Sequence, residues 1–274
     1  MLTDVRFAFV GSGVMAEAMV KGLIAEAGVP AERITASGPR PERGEELRTR
    51  YGVRPAVDNL SAIDGAQIVV LSVKPQVLHG VMEQLAGQIA PGALVLSIVA
   101  GARIEVIADT LRHPSVARAM PNTPAQIGLG MTVWTCSAAL NESQRGQAQA
   151  VFGSFGEEVF VTDERYLDMA TALSGTGPAY VFIFMEAMVD AGVHMGFSRR
   201  VAEQLVYQTV RGSVEYARQA GRHLATLRNQ VTSPGGTSAE ALYQIEKGGL
   251  RTVMSKAIFG AYQKSRRLGR GVEE

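Results

Sequence analysis

A glycine-rich turn between the first predicted strand and the first predicted helix constrains the fold more than any other feature. The apolar run Val5–Val10 leads into Gly11-Ser12-Gly13-Val14-Met15-Ala16, the pattern G-x-G-x-x-A, and then into a helical stretch. In such a turn the first glycine permits the bend, the second lets the backbone approach a pyrophosphate, and the small third residue keeps the helix close to the strand. The helix N-terminus adds amide donors. The turn predicts a dinucleotide site, with a βα turn that binds no ligand as the alternative.

Short apolar runs alternate with helical stretches through the first part of the chain, which indicates a parallel sheet covered on both faces. The predicted strands are Val5–Val10, Arg33–Ala36, Gln67–Val73, Ala93–Val99 and Val116–Met120, separated by helices such as Met15–Ala27, Arg40–Tyr51 and Gln76–Ala90. From Tyr166 onward only helices are predicted, over Pro178–Met195, Ser198–Ala220, Leu224–Val231, Thr237–Lys247 and Leu250–Leu268. The predicted fold is α/β, with a Rossmann-like dinucleotide-binding domain over residues 1–162 and an all-α domain over residues 163–274.

Composition excludes several classes of function. Lys and Arg total 27 and Asp and Glu total 26, and this near-balance argues against a nucleic-acid-binding chain. One cysteine and four scattered histidines show no ligand spacing, so no metal site is expected. Apolar runs such as Gln67–Val73 and Ala93–Ala100 are too short to span a bilayer, and the N-terminus lacks the features of a signal peptide. A cytoplasmic protein without membrane contact is expected.

The end of the second predicted strand favours one nicotinamide cofactor over the other. NAD-binding folds usually place an acid there, whereas this chain reads Ala36-Ser37-Gly38-Pro39-Arg40. Ser37 is able to hydrogen-bond a 2′-phosphate, and Arg40 or Arg43 is able to pair with it. NADP is therefore favoured, and the alternative is that these arginines only solvate the start of a helix.

Three more predicted strand ends carry turn chemistry that points to the same crevice. They are Ser72-Val73-Lys74-Pro75, Ala100-Gly101 and Met120-Pro121-Asn122-Thr123-Pro124. Ligands of open α/β sheets bind outside the carboxyl ends of the strands. Lys74 is expected to reach ribose or phosphate, and Asn122 offers its amide to the nicotinamide or to a substrate.

A second turn in the helical half has the composition of an anion site. Ser233-Pro234-Gly235-Gly236-Thr237-Ser238-Ala239-Glu240 joins two predicted helices, and Thr237 with Glu240 forms a capping-box pattern. Two glycines and three hydroxyls beside a helix N-terminus suit one carboxylate. The alternative is a plain interhelical turn with a good cap. Leu173–Pro178 is a similar turn, which either faces the nicotinamide or simply starts a helix.

These residues favour hydride-transfer chemistry. The sequence presents no Ser-His-Asp set, metal cluster or carboxylate pair, and hydride transfer needs least from side chains because the cofactor does the chemistry while the protein orients the reactants.

At the level of whole motifs, the sequence resembles the pyrroline-5-carboxylate reductases along nearly its entire length. The motifs that carry the resemblance are Phe9–Ala16, Leu71–Gln76, Arg118–Pro124, Ser174–Tyr180 and Val231–Ser238. The resemblance implies an oxidoreductase that uses NADPH, with NADH as the alternative, to reduce the imine of 1-pyrroline-5-carboxylate to L-proline, the last step of proline biosynthesis. It also implies a C-terminal dimerisation domain and a homodimer that assembles further, commonly as five dimers.

The same resemblance implies roles for individual residues. Cofactor contacts would come from the glycine turn, from Asn59, Ser72, Val73, Lys74, Pro75 and Ala100, and from Ser37 and Pro39 near the adenosine ribose. Ser233, Gly236, Thr237 and Ser238 would hold the substrate, with the Ser238 hydroxyl in the catalytic role at the ring nitrogen. The family usually has Thr at this position, and it commonly carries an acid and a Pro where this chain has Gly221-Arg222-His223-Leu224.

Three other functions stay open at this stage. They are reduction of a six-membered cyclic imine carboxylate, a hydroxyacid dehydrogenase and a non-catalytic NADP sensor. The dehydrogenase usually needs a lysine at the start of the helical domain, and Thr171–Tyr180 has none.

Overall fold

A computed structural model describes residues 2–270, which fall into two compact units. One unit comprises the described residues of Met1–Thr176 and Ala261–Glu274, and the other comprises Gly177–Gly260. The division predicted after residue 162 stays a prediction. In the structure, helix α7, Arg165–Ala170, packs on strands of the first unit, and the two compact units divide after Thr176.

The first unit is built on one eight-stranded sheet. Its strands are β1 Phe7–Val10, β2 Ile34–Ser37, β3 Arg54–Ala56, β4 Ile68–Leu71, β5 Leu94–Ser97, β6 Val116–Met120, β7 Gly130–Cys136 and β8 Gly156–Phe160. The spatial order is β3-β2-β1-β4-β5-β6-β7-β8, and the first six of these strands are parallel. This order of six is that of doubly wound dinucleotide-binding folds. The predicted α/β fold with a Rossmann-like first domain is confirmed.

Three strands were not predicted, and each lies toward one edge of the sheet. β3 has only three residues and contains Pro55, which suits an edge position. β7 runs antiparallel to β6, so it needs no crossover helix and does not read as part of a βαβ repeat. β8 pairs with β7 alone and carries Glu157 and Glu158. The predicted parallel sheet therefore has additional strands at both ends, and two of them, β7 and β8, run opposite to the other six.

Helices cover both faces of the sheet and generate two separate cores. They are α1 Val14–Ala25, α2 Pro41–Tyr51, α3 Asn59–Ile63, α4 Pro75–Leu85, α5 Ile104–Leu111, α6 Glu142–Gly153 and α7. Alternate residues of β1 face opposite sides: Phe7 and Phe9 belong to one buried cluster, and Ala8 and Val10 to the other. Because both faces are buried, the central strands have no polar alternation, as the sequence indicated.

The second unit is helical and has little core of its own. Its helices are α8 Gly177–His194, α9 Arg199–Ala220, α10 Leu224–Gln230, α11 Thr237–Lys247 and the first part of α12 Leu250–Arg270. Between residues 177 and 260 the buried apolar side chains are Val189, Ala202, Val206 and Leu227. Phe182, Ile183 and Phe184 of α8 are all exposed. A unit of this size with so few buried side chains has apolar surface available for a partner.

The continuous helical stretch Arg165–His194 is long and apolar enough, by length and composition, to cross a membrane. It contains α7, a π-helical turn over Thr171–Gly175, and α8. The expectation that no segment spans a bilayer rested on the short apolar runs of the sheet and did not take this stretch into account.

Candidate functional site

The glycine turn is pressed against the end of β4. Gly11 has φ +103°, a left-handed conformation that favours glycine, and a Cβ built there would lie 2.8 Å from the carbonyl carbon and oxygen of Ser72. The Ser72 hydroxyl donates to Gly11 O at 2.7 Å. Both the conformation and the close approach exclude a side chain at Gly11, so the sequence motif is explained by packing.

Gly13, in contrast to Gly11, faces open space, as expected of a residue that faces a ligand. It caps α1 without any side-chain hydrogen bond, and a Cβ built on it meets nothing within 4 Å. The N–H groups of Val14, Met15 and Ala16 have no acceptor among the described residues, whereas Glu17 N donates to Gly13 O. Open space beside free amides at a helix N-terminus fits a phosphate group.

A cavity of about 530 Å³ opens beside this turn. Its lining residues are Gly13, Val14, Glu17, Arg40, Glu42, Arg43, Glu46 and Lys74. Arg40 and Lys74 are exposed there. The two predicted cofactor-binding cations thus share one cavity with the predicted phosphate turn.

A partly buried ion pair lies in the wall of that cavity. Arg43 Nη2 pairs with Glu17 Oε2, and the two side chains are 13% and 17% exposed. Arg43 also donates from Nε to Ser12 O at 2.9 Å and from Nη1 to Glu46 Oε2 at 2.6 Å. Arg50 and the Tyr51 hydroxyl donate to the other oxygen of Glu17, at 3.1 and 2.9 Å.

These contacts set the ionisation of Glu17. Burial raises the pKa of the Glu17 carboxyl, but hydrogen bonds from Arg43, Tyr51 and Arg50 outweigh burial and hold that pKa below its ordinary value. Glu17 is therefore a carboxylate in the first turn of α1. Its charge is neutralised by Arg43 on one oxygen and by Arg50 on the other.

Ser37 is fully buried at the end of β2. Ser37 has no exposed surface, and its hydroxyl lies 2.8 Å from Asn59 Oδ1 and 3.3 Å from Phe9 O. Asn59 in turn donates to Gln84 Oε1 at 2.9 Å. The Ser37 hydroxyl therefore supports Asn59 in this structure, and its predicted contact with a 2′-phosphate stays a prediction. Pro39 and Arg40, which follow in the chain, are exposed.

The other predicted cofactor residues lie where the strands of the sheet end. Ser72, Val73 and Lys74 follow β4, and Pro75 is the first residue of α4. Ala100 follows β5 and is half-buried, next to Gly101 with φ +82°. The carboxyl ends of neighbouring parallel strands thus bring these residues to one edge of the sheet, next to the glycine turn.

Asn122 uses its side chain within the first unit. Its Nδ2 donates to Ser174 O at 3.1 Å, and its Oδ1 accepts from Met131 N at 2.9 Å. Asn122 therefore ties the end of β6 to the π-helical turn. One N–H of the amide remains for a ligand, so the predicted nicotinamide contact stays a prediction.

The Ser233–Ser238 loop has the geometry of a small anion site within the second unit. Gly235 has φ +69°, and Gly236 caps α11. The amides of Thr237 and Ser238 have no acceptor among the described residues. No hydroxyl of Ser233, Thr237 or Ser238 has a hydrogen-bond partner within that part of the chain.

Two features of this loop differ from the prediction. Thr237 is the first helical residue and not the cap, so the predicted capping box with Glu240 is wrong. The N–H of Gly236 donates to Ser233 O at 3.1 Å, so it is not free for a carboxylate. The first unoccupied amide donors of α11 are therefore those of Thr237 and Ser238.

Comparison with known proteins places the chain in a family. The family model for pyrroline-5-carboxylate reductase dimerisation matches residues 164–268, and that for NADP oxidoreductase coenzyme F420-dependent proteins matches residues 6–101. A pyrroline-5-carboxylate reductase of Synechocystis sp. is 39% identical over 97% of this chain and 99% of its own length. The chain belongs to the pyrroline-5-carboxylate reductase family. The resemblance predicted from its motifs is confirmed.

Solved structures agree with this family membership. The pyrroline-5-carboxylate reductase of Coxiella burnetii has a TM-score of 0.87 at 33% identity, and the alignment covers 96% of this chain and 98% of that one. The Plasmodium falciparum pyrroline carboxylate reductase, solved with NADP bound, has a TM-score of 0.89 at 28% identity, covering 97% and 99%.

Glu17 and its contact partners are the part of the reductase site that sequence reasoning missed. An acid in the first turn of a predicted phosphate-binding helix is unfavourable for an anionic ligand unless a cation neutralises it. That conflict at Glu17 was a usable signal. The partner, 26 residues further on, was not identifiable without the fold.

The Glu17 carboxylate is expected to stabilise the folded reductase in a pH-dependent way. Because its folded-state pKa is lowered, the stabilisation is fully present above the unfolded pKa, about 4.3, and is lost as the pH falls through the folded-state pKa. At pH 7, Glu17→Gln should lower the free energy of unfolding by on the order of 1–3 kcal/mol. Urea unfolding of both proteins from pH 7 to pH 3 should show the difference shrinking at the acid end.

Glu45→Gln is the matched control, because Glu45 pairs with Arg48 on the exposed side of α2, the helix that carries Arg43. It should leave stability nearly unchanged at every pH. A Glu17→Gln protein as stable as wild type at pH 7, or a difference that persists undiminished at pH 3, would contradict the assignment.

Proposed function

We propose that this chain is an NADPH-dependent pyrroline-5-carboxylate reductase that converts 1-pyrroline-5-carboxylate to L-proline, the last step of proline biosynthesis. The observation that carries the proposal is the free amide cluster and open space at Gly13, in a chain that matches reductases of this name over nearly their whole length. The reaction is hydride transfer to a cyclic C=N group, and the enzyme is an oxidoreductase.

The first unit supplies the cofactor site. The amides that follow Gly13 would bind the pyrophosphate. Arg40 supports NADP over NAD, because it lines the cavity, is exposed and has no ion-pair partner among the described residues. Ser72, Val73, Lys74, Pro75 and Ala100 would border the remainder of the dinucleotide.

The second unit supplies the substrate site. When bound, a reduced nicotinamide would supply the hydride, which adds to C5 of the imine in its protonated, iminium form, so that the ring nitrogen becomes the amine of proline. The amides of Thr237 and Ser238 and the hydroxyl of Ser233 would bind the substrate carboxylate, and the Ser238 hydroxyl would hydrogen-bond the ring nitrogen. The protein's contribution is to orient the imine and hold its charge.

The exposed apolar surface of α8 supports a homodimer. Phe182, Ile183 and Phe184 are between 49% and 67% exposed, and the unit they belong to has few buried side chains. A second copy of the same helical unit would cover this surface. Further assembly into a decamer of five dimers is part of the same proposal.

The same apolar helix is assigned to this interface and not to a bilayer. Glu186 and Asp190 lie on α8, and Asp190 pairs with Arg199 of α9 at 2.8 Å. Charged groups of this kind are costly in hydrocarbon and acceptable in a protein interface that is polar at its rim. We therefore propose a cytoplasmic enzyme without membrane contact.

An assay of NADPH oxidation tests the proposed reaction. Purified protein should oxidise NADPH with 1-pyrroline-5-carboxylate and should act at a far lower rate on six-membered piperideine carboxylates. Faster turnover of the six-membered imines would reassign the substrate. Binding of NADPH without turnover of any imine would identify a sensor instead.

The Ser238 hydroxyl is expected to act in the transition state. Ser238→Ala should lower kcat by about 5–150-fold, equivalent to the 1–3 kcal/mol of one lost hydrogen bond. Ser238→Thr keeps the hydroxyl and should retain most of the activity. Ser213→Ala is the control, because that hydroxyl bonds only Thr209 O within α9. Unchanged turnover in Ser238→Ala would remove this residue from the mechanism.

Sedimentation measurements should show that the protein is at least a dimer. Ile183→Glu places a charge on the exposed apolar face of α8 and should shift the protein toward monomer. Leu129→Glu, at an equally exposed apolar position of the first unit, should leave the assembly intact. A wild-type monomer, or an undisturbed assembly in Ile183→Glu, would argue against this interface.

A further inference from the structure

We propose that Arg43 is a positioning residue for the cofactor's pyrophosphate, which acts by holding the Ser12 carbonyl, and that it does not read the 2′-phosphate of NADP. The proposal rests on the proposed function, because it assumes that the glycine turn binds a dinucleotide. It separates Arg43 from Arg40, although both side chains line the same cavity.

The contact that carries the inference joins Arg43 Nε to Ser12 O at 2.9 Å. Ser12 is the variable residue between the two glycines of the turn, and it is buried. Its peptide bond with Gly13 is planar and trans, so fixing the Ser12 carbonyl also fixes the Gly13 N–H, which points the opposite way. That N–H has no acceptor among the described residues. Arg43 therefore sets the direction of a free donor at the head of α1.

The Arg43 guanidinium is already committed on each of its three nitrogens. Nε donates to Ser12, Nη1 to Glu46 and Nη2 to Glu17. Its side chain is 13% exposed. Moving toward a ligand would break charge-assisted hydrogen bonds to two acids, which is unfavourable. Arg40 is exposed and carries none of these contacts, so it is the arginine available to a 2′-phosphate.

The acids around Arg43 prevent it from moving. Glu17 comes from α1 and Glu46 from α2, so the guanidinium bridges the two helices across the turn. Arg50 contacts both acids, at 3.1 and 2.8 Å. This arrangement also neutralises Glu17, whose charge would otherwise oppose an anion at the N-terminus of its helix.

Arg43 and Arg40 therefore predict different ligand dependences. A residue that shapes the pyrophosphate turn affects NADP and NAD alike, because both contain a pyrophosphate. A residue that reads the 2′-phosphate affects NADP and 2′-AMP but not NAD. A residue needed only for folding affects all three ligands in the same proportion.

Isothermal titration with NADP+, NAD+ and 2′-AMP separates these roles. Arg43→Ala should weaken NADP+ and NAD+ by a similar factor of about ten, and should leave the Kd of 2′-AMP unchanged. Arg40→Gln should weaken NADP+ and 2′-AMP and leave NAD+ unchanged. Arg48→Ala is the matched control, because Arg48 lies on the same helix, pairs with Glu45 and does not line the cavity. It should change none of the three dissociation constants.

Arg43→Lys keeps the charge beside Glu17 but loses the fork that joins three acceptors, and it serves if the alanine variant does not fold. It should show a smaller loss for NADP+ and NAD+, again without effect on 2′-AMP. Loss of NADP+ and 2′-AMP affinity alone, an equal loss for all three ligands, or no loss at all would overturn the proposal. A wild-type protein that binds neither dinucleotide would overturn both proposals. One that binds them but reduces no imine would overturn only the proposed function.

Discussion

The close approach between the end of β1 and the end of β4 is the constraint on which the first unit depends. Gly11 lies so near the Ser72 carbonyl that no Cβ fits, and the Ser72 hydroxyl bonds back to Gly11. This contact fixes where the chain leaves the sheet and hence where α1 begins. The free amides after Gly13, the cavity beside them and the position of Glu17 all follow from that point of departure. A side chain at residue 11 would collide with the Ser72 backbone and so displace the start of α1 and the site with it. A side chain at residue 13 would only fill the open space beside the free amides.

The two units achieve stability in different ways. The first buries a sheet between two layers of helices, and its strands contribute alternate side chains to two complete cores. The second has one small cluster around Val189, Ala202 and Val206, and it exposes aromatic and aliphatic side chains along α8. An 84-residue stretch, Gly177–Gly260, with this little buried surface is the part of the chain with most to gain from pairing. The anion-binding loop before α11 belongs to this same unit.

The sequence predicted the central elements well because their signals are local. Continuous apolar runs gave β1, β4 and β5, and β6 was placed at its observed bounds, Val116–Met120. The strands β3, β7 and β8 were not predicted: β3 is only three residues long, β7 reverses direction, and β8 pairs with β7 alone, and none of these features has a clear pattern in the chain. At the candidate site, the residue types were predicted better than their contacts. Ser37 reads as a phosphate ligand until the fold shows its hydroxyl buried against Asn59.

The burial of the Ser37 hydroxyl bears directly on the question of cofactor choice. The strand end before α2 has no acid, which removes the usual partner of an NAD ribose. It also contains Gly38, which lies against the Ser12 side chain, so this segment is packed against the glycine turn. Of the predicted contacts to a 2′-phosphate, the exposed ones lie further along the chain, at Pro39 and Arg40. Arg43 is occupied with Ser12 and two acids, and Arg40 is the remaining exposed arginine on the described cavity wall. In the proposed site, discrimination of NADP from NAD would therefore depend on Arg40, whereas the pyrophosphate, which both cofactors contain, would be bound by the backbone of the glycine turn.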